Sequence, residues 1–510
     1  MTPRAPSNPS RDPFLWTATL LLALASLLPV WWPRLLPLLD QPNHLAAIQI
    51  WNKLSDPAWG LQRFYAPSTV PVPYWGYYFP VHVLSSLCGV ETANKLFLSV
   101  YVLSVPASVA YLARSLGRSG WVGLLVFPLA FNHSWAWGFL SYVPGMPLVL
   151  LSLGLLARYF RAPTNLRLAA FFGALTATYF MHLLPWIALG ALATLYVVGQ
   201  VRPWGRSLRV AGALLASLLF AVWNTIYCAQ THRTVDGHLR VQAGWQPLLQ
   251  VVRELPSRLL VRWDSALVAN LVTIALLLSL VLLVRSGRAE PRPGSSVIER
   301  WFPELCAALM LAAYLFMPVK LVQPAWIWFV NTRYLALAAM FAAVLVRGPI
   351  EGRRRLLLVP AVLASLLYAG ALTRQYLDFN TRAAGIVDVM QVVPVGSNTL
   401  TLLLGSNSDP ALDPDYVPFN EYHSYPTVLK GGYDAYGWDL GFPYLMTKHV
   451  PTPRWNAPGQ FSQHAHGRSF DYVLTHREAR DHAVFPGLEQ KIPLVARSGE
   501  WRLYRTLGIE

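Results

Sequence analysis

The sequence predicts an α-helical polytopic membrane protein, with about eleven spanning helices and a small C-terminal α/β or α+β domain outside the bilayer. Three observations carry that prediction. The 510 residues are 54% hydrophobic and only 13% charged, roughly half the charge of an average soluble domain. Apolar runs recur between residues 14 and 373, and many approach the roughly 20 residues that cross about 30 Å of hydrocarbon. The net charge of +16 is mostly arginine, and the arginines gather in short connectors between those runs. That placement follows the positive-inside rule and leaves no basic face for nucleic acid, so the lipid bilayer is the expected partner and nucleic acid is not.

In chain order the expected spans lie near 14–33, 96–113, 121–138, 144–158, 168–183, 184–200, 208–228, 266–284, 302–319, 331–346 and 356–373. The first resembles a cleaved signal peptide, since Arg4 and Arg11 precede it and Ala23-Leu24-Ala25 lies within it. Its apolar character runs from Phe14 to Trp32, longer than a signal core, so it is expected to remain as a span. The stretch 76–89 is short, carries Pro80 and His82, and fits a spanning, re-entrant or interfacial segment. If it does not cross, the arginine-rich connectors 114–118, 158–167, 202–209, 285–300 and 347–355 all fall on one side. The connectors at 139–143 and around 182, which lack Lys and Arg, fall on the other. The rule then places the N-terminus inside and the C-terminus outside.

Residues 1–373 accordingly read as a transmembrane domain with two long outer loops, 34–94 and 229–265, and 374–510 as a C-terminal non-cytoplasmic, periplasmic domain. In the first loop Leu45, Ile48, Trp51 and Leu54 recur at helical spacing, the pattern of a helix lying in the interface. Tyr74, Trp75, Tyr77 and Tyr78 follow as an aromatic cluster suited to headgroup depth. Past residue 374, NTLTLLL (398–404), FDYVLTH (470–476) and 492–506 read as strands, and 379–392 as a helix. Cys88, Cys228 and Cys306 are far apart with no C-x-x-C spacing, which predicts neither a zinc site nor a disulfide framework.

Ionisable residues near span ends are where chemistry is expected, because charge is costly at mid-membrane. Asp40, His133, His182 and Arg333 should all face outward at similar depth. Asp40 precedes a helical pattern with His44 one turn on, so the two share a face. A carboxylate there serves either as a plain N-cap or as a general base toward a hydroxyl. The two histidines suit structural or substrate-binding roles, and Arg333 either snorkels or offers a donor fork to a lipid-linked phosphate. His464-x-His466 has no Cys or acidic neighbour and reads as a solvated loop. No Walker loop, dinucleotide fingerprint, H-E-x-x-H or G-x-S-x-G occurs, which counts against ATP-driven transport, dinucleotide chemistry and the familiar hydrolases.

The arrangement resembles the GT-C superfamily of membrane glycosyltransferases, the polyprenyl-phosphate-sugar-dependent mannosyl- and arabinosyltransferase-like proteins. DQPNHLA (40–46) is similar to their D-x-P-x-H stretch after span one, and WGFLSYVPGMPL (137–148) and NTRYLALAA (331–339) to later outer-facing segments. The likeness in layout covers most of residues 1–373. It implies a bacterial inner membrane, a polyprenyl-phosphate-linked sugar donor, a glycan or lipid acceptor in the cell envelope, and inverting transfer. Asp40 would be the base, with Asn43, His44, His133, His182 and Arg333 binding substrate. Many members pair two acidic residues in the first-loop motif, whereas Asp40 stands alone, with Asp56 and Glu91 much further on. A divalent cation is therefore compatible with the resemblance without being demanded by it, and no other cofactor is expected. A lipid or solute transporter or flippase without nucleotide hydrolysis is the rival reading, although such folds usually show repeated halves.

Overall fold

The computed structural model describes residues 12–68, 70–200, 204–231, 242–262, 266–287, 297–323, 327–404, 417–438, 441–454, 458–476, 485 and 492–506. Parts of the second outer loop (232–241 and 263–265) and of the 285–300 connector (288–296) lie outside those residues. The helices are α1 (Pro13–Trp31), α2 (Gln41–Lys53), α3 (Trp75–Cys88), α4 (Val90–Ser115), α5 (His133–Ala136), α6 (Gly145–Arg161), α7 (Asn165–Met181) and α8 (Leu183–Val198). They continue as α9 (Trp204–Thr231), α10 (Leu248–Leu259), α11 (Ala266–Ser286), α12 (Val297–Phe316), α13 (Arg333–Ala343), α14 (Val359–Ala383), α15 (Gly385–Val389) and α16 (Tyr425–Lys430). The strands are β1 (Tyr65–Pro67), β2 (Gln242–Gly244), β3 (Lys320–Gln323), β4 (Ile327–Trp328), β5 (Thr399–Leu403), β6 (Tyr444–Met446), β7 (Tyr472–His476), β8 (Leu494–Ser498) and β9 (Trp501–Arg505). Two compact units result, and neither is a continuous stretch of chain. One gathers Met1–Val30, Ser99–Trp135 and Ser141–Leu372, and the other Trp31–Leu98, Ala136–Leu140 and Thr373–Glu510.

Along the described chain five helices are long and apolar enough to cross a membrane, and α8 and α13 are shorter apolar helices. Helices occupy every expected span but one. Residues 121–138 form short 3-10 turns at Gly120–Leu125 and Phe127–Ala130 followed by the four-residue α5. The physical reason is local: Pro128 lacks an amide proton, and Gly123 sits where an added Cβ would lie 2.7 Å from the Pro106 carbonyl of α4. Residues 121–135 are buried throughout, so their apolarity serves protein packing. Loosened backbone groups find partners there: Tyr101 Oη donates to the Ala130 carbonyl (2.8 Å), and the Val261 amide and Tyr368 hydroxyl donate to that of Phe131 (3.1 and 3.2 Å). Irregular backbone at membrane depth is tolerated under that condition.

In the second unit β5, β7, β9 and β8 form a four-stranded sheet in that order, with β5–β7 parallel and the other pairs antiparallel. The three C-terminal segments expected as strands supply it. β7 is central and buried at every position, whereas β8, at the edge, is largely open, as sheet position dictates. A two-stranded antiparallel ladder, Tyr65↔Met446 to Pro67↔Tyr444, joins the first outer loop to the C-terminal segment. Helix α3 has 14 residues, roughly 21 Å of rise and short of a span. Its Tyr77, Tyr78, Val81 and Ser85 are buried, and Phe79, Val83 and Leu87 are exposed. The expected interfacial helix is instead a packed one: Gln41 through Ile48, with Ile50, are buried, because α16 and α3 cover it.

Candidate active site

The residues singled out by sequence fall three to each unit: Asp40, Asn43 and His44 in one, His133, His182 and Arg333 in the other.

Asp40 occupies the N-cap position of α2 with backbone angles of −78° and −9°, and its side chain makes no capping hydrogen bond. Pro42 within the first turn removes one amide that a cap would serve, and the carboxylate is half-buried rather than sealed. Backbone contacts fix its place. The Leu39 and Asp40 amides donate to the Ala136 and Trp137 carbonyls at 3.0 and 3.1 Å. Gly138 makes that approach feasible: its φ is +73°, and a Cβ there would sit 2.8 Å from the Asp40 nitrogen. His44, one turn on, is buried, with Nδ1 2.7 Å from the Tyr78 hydroxyl. Its ring also hydrogen-bonds the Gly138 backbone. A carbonyl can only accept, so the ring N–H points to Gly138 and Nδ1 accepts from Tyr78. Burial pulls its pKa down to about 3 against that hydrogen bond, which leaves His44 neutral. Trp438 packs edge-on against it at 5.2 Å.

Asn43 is buried and its amide is bound at both ends: Nδ2 donates to Glu421, and Oδ1 accepts from Ser424 Oγ at 2.9 Å. No motif in the sequence pairs either partner with α2. Asn420, Glu421, His423 and Ser424 stand among aromatic residues, which is a detectable oddity, but no spacing rule ties them to residue 43.

In the other unit His133 lies beside a residue the sequence reading missed. Arg258 of α10 is buried, and its Nη1 donates to His133 Nε2 at 2.7 Å while Glu254 accepts at 2.8 and 3.2 Å. The four-residue Glu254–Arg258 spacing was the available signal. Arg333 opens α13. Its Nη1 is 3.5 Å from His182 Nε2, its Nη2 donates to the Trp328 carbonyl at 3.2 Å, and its guanidinium lies over the Tyr142 ring at 5.0 Å. His182 also caps α8 through Nδ1, accepting from the Leu184 amide at 3.0 Å, which separates α7 from α8. Phe329, four residues before Arg333, has φ +54°, a conformation costly for an aromatic residue and frequent at functional positions. Its ring faces both His133 (4.9 Å) and the Arg258 guanidinium (5.3 Å). Two buried guanidiniums with one carboxylate among them suit an anion, phosphate above all.

A divalent cation finds less support in these residues. No group of three or more His, Cys, Asp or Glu is placed to hold one among the described residues. His464 is exposed, and His466 Nδ1 accepts from the Ser462 amide at 2.8 Å.

No family model matches the chain, and no curated protein matches it significantly. Solved structures do. ArnT from Cupriavidus metallidurans bound to undecaprenyl phosphate superposes with a TM-score of 0.57 at 11% identity, over 97% of each chain. The same protein in the apo state gives 0.55 at 10% identity, over 97% of this chain and 98% of that one. The mycobacterial arabinofuranosyltransferase AftD gives 0.51 at 12% identity, over 98% of this chain and 42% of its own length. The chain has the GT-C fold.

Proposed function

We propose that this protein transfers a sugar from a polyprenyl-phosphate donor to a glycan or lipid acceptor of the cell envelope, at the outer face of a bacterial cytoplasmic membrane. The observation that carries the reading is Asp40: on a GT-C fold, it stands at the start of α2 with its carboxylate not used as a cap. The fold is shared along nearly the whole chain with ArnT, whose structure holds undecaprenyl phosphate. The arginine-rich connectors support an inside N-terminus and an outward-facing site.

Asp40 takes the proton of the acceptor hydroxyl as that oxygen attacks the anomeric carbon. The bond from that carbon to the phosphate oxygen breaks, with inversion, and polyprenyl phosphate leaves with the bonding pair. A guanidinium offsets the charge that develops on the phosphate, the role that the GT-C resemblance gives to Arg333. His44, neutral and locked by Tyr78 and Gly138, orients the first turn of α2, and within the other unit His133 and His182 contact Arg258 and Arg333.

The test is transfer of radiolabelled sugar from a panel of polyprenyl-phosphate sugars into membrane extracts by the protein in lipid nanodiscs. Asp40→Asn should lower turnover by roughly 10²- to 10⁴-fold with unchanged expression and thermal stability. Near-wild-type turnover in the variant removes Asp40 from the mechanism. A folded wild type that consumes no donor shifts the reading to a lipid transporter.

A further inference from the structure

Asn43 is the third residue of α2, and it closes a circuit of hydrogen bonds with the 421–424 turn. Its Nδ2 donates to Glu421 Oε2, and its Oδ1 accepts from Ser424 Oγ at 2.9 Å. Ser424 Oγ lies 3.0 Å from His423 Nδ1, and His423 Nε2 lies 3.1 Å from that same Glu421 oxygen. Counting donors fixes the state of the ring. Ser424 has one hydroxyl proton, which goes to Asn43, so its oxygen can only accept from Nδ1. The Glu421 carboxylate can only accept from Nε2. The circuit closes when both ring nitrogens carry protons.

Asp434 supplies a second reason for that charge. It is 2% exposed, and neither of its oxygens accepts a hydrogen bond among the described residues. A buried carboxylate in that condition is costly unless a cation faces it, and the facing group is His423 Nδ1 at 3.8 Å. Burial pulls the His423 pKa down, but Asp434 and Glu421 outweigh it and raise it from 6.5 to about 9. Among the described residues Tyr436 stands edge-on to the ring at 5.2 Å, and uncharged Asn43 of α2 reaches it through Ser424. Strand β5, which touches this turn through Thr401, has no titratable side chain.

We propose that His423, Glu421 and Ser424 are positioning residues, a protonated clamp that holds Asn43 and through it the first turn of α2 bearing Asp40 and His44. The inference rests on Asp40 as the catalytic carboxylate for its consequence in turnover, but the clamp itself is a property of α2. Loss of one proton from His423 turns Nδ1 into an acceptor. Ser424 must then donate to the ring, and Asn43 Oδ1 loses its donor.

Amide hydrogen exchange of peptides covering 41–53 tests this in the full chain in nanodiscs, after correction for the intrinsic pH dependence of exchange. Wild type should lose protection of the first turn of α2 as pH rises through about 9. His423→Asn should show low protection at every pH. Glu421→Gln should move the transition to lower pH, because the ring then faces one carboxylate fewer. In the transfer assay both variants should lose roughly 10- to 100-fold in kcat with little change in KM. Flat protection in wild type across pH 7 to 10, or a transition that Glu421→Gln leaves in place, overturns the clamp whatever the turnover. A titrating α2 in a protein that consumes no donor keeps the clamp and removes the transferase reading. If His423→Asn does not fold, the wild-type pH series and Glu421→Gln still decide.

Discussion

Two buried histidines, one in each unit, receive opposite treatment from their surroundings. His133 faces a guanidinium: Arg258 donates to its Nε2 at 2.7 Å, so that nitrogen carries no proton. His423 faces carboxylates, Glu421 at 3.1 Å and Asp434 at 3.8 Å, and is a cation at neutral pH. Burial presses both toward neutrality; the partner decides. The lesson is that a histidine's role is set by the charge that faces it, whether that charge comes from 125 residues away, as for His133, or from two, as for His423 and Glu421. The cationic surroundings of His133 suit an anion, and the anionic ones of His423 suit a charged ring that holds its neighbours in place.

The sharpest way to break this comparison is to remove the guanidinium. Arg258→Met takes from Glu254 its ion-pair partner and from His133 Nε2 the guanidinium that donates to it. Glu254 is 21% exposed at its side chain and reaches some water, so the expected loss is about 3 kcal/mol, at the low end for a broken buried pair. Chemical unfolding in detergent micelles would read it. Pairing the change with Glu254→Gln should recover part of the loss. A change under about 0.5 kcal/mol in the single variant, the range of ordinary surface substitutions, would mean that Arg258 and Glu254 are not the buried pair described.

How much of this was legible beforehand divides along the same line. Apolar runs locate helices α1, α4, α6–α9 and α11–α14 because roughly 20 consecutive apolar residues have few other uses, and the strand segments near 398, 470 and 492 announce themselves by β-branched and aromatic content. Hydropathy failed at 121–138, since protein-buried and lipid-facing apolar residues read alike. It failed at α2 for the same reason, taking a helix covered by α16 for one lying at the interface. Asp40 and His44 were visible as polar residues at a helix start. The pairing of Arg258 with His133 and of Glu421 with Asn43 was not, because contacts 125 and 378 residues apart leave no periodicity in a single sequence.

His44 sharpens the comparison from within the second unit, since its partners are a hydroxyl and a carbonyl rather than a charge. Its folded pKa of about 3 lies below the ordinary 6.5. Below pH 6.5 the unfolded chain takes up a proton that the folded ring refuses, so His44 favours folding above that pH and loses its contribution as pH falls toward 3. His423 has the opposite sign: its contribution is complete below 6.5 and fades as pH rises through about 9. Moving from pH 7.5 to 5 should therefore cost about 2 kcal/mol through His44, and His44→Asn should flatten that acid limb while leaving the alkaline one. Equal acid limbs in the two proteins would show that His44 takes up a proton without resistance and is not sealed as described.

The smallest expected effect concerns Gly138, which positions Asp40 by backbone alone. With φ +73° any side chain is strained there, by about 1 kcal/mol, and the added Cβ of Gly138→Ala would press on the Asp40 nitrogen. The variant should fold, since one strained residue is a minor fraction of a domain's stability. Its turnover should fall disproportionately, because the carboxylate is moved while every side chain of the site remains. The discriminating measurement is kcat against thermal stability in one preparation. A kcat loss of roughly tenfold or more with a small drop in Tm would show that Asp40 acts from a fixed position. Parallel, small losses in both would mean that its exact placement is unimportant, and that the neutral region around His44 tolerates displacements of its backbone that a charge-paired one such as His423's would resist.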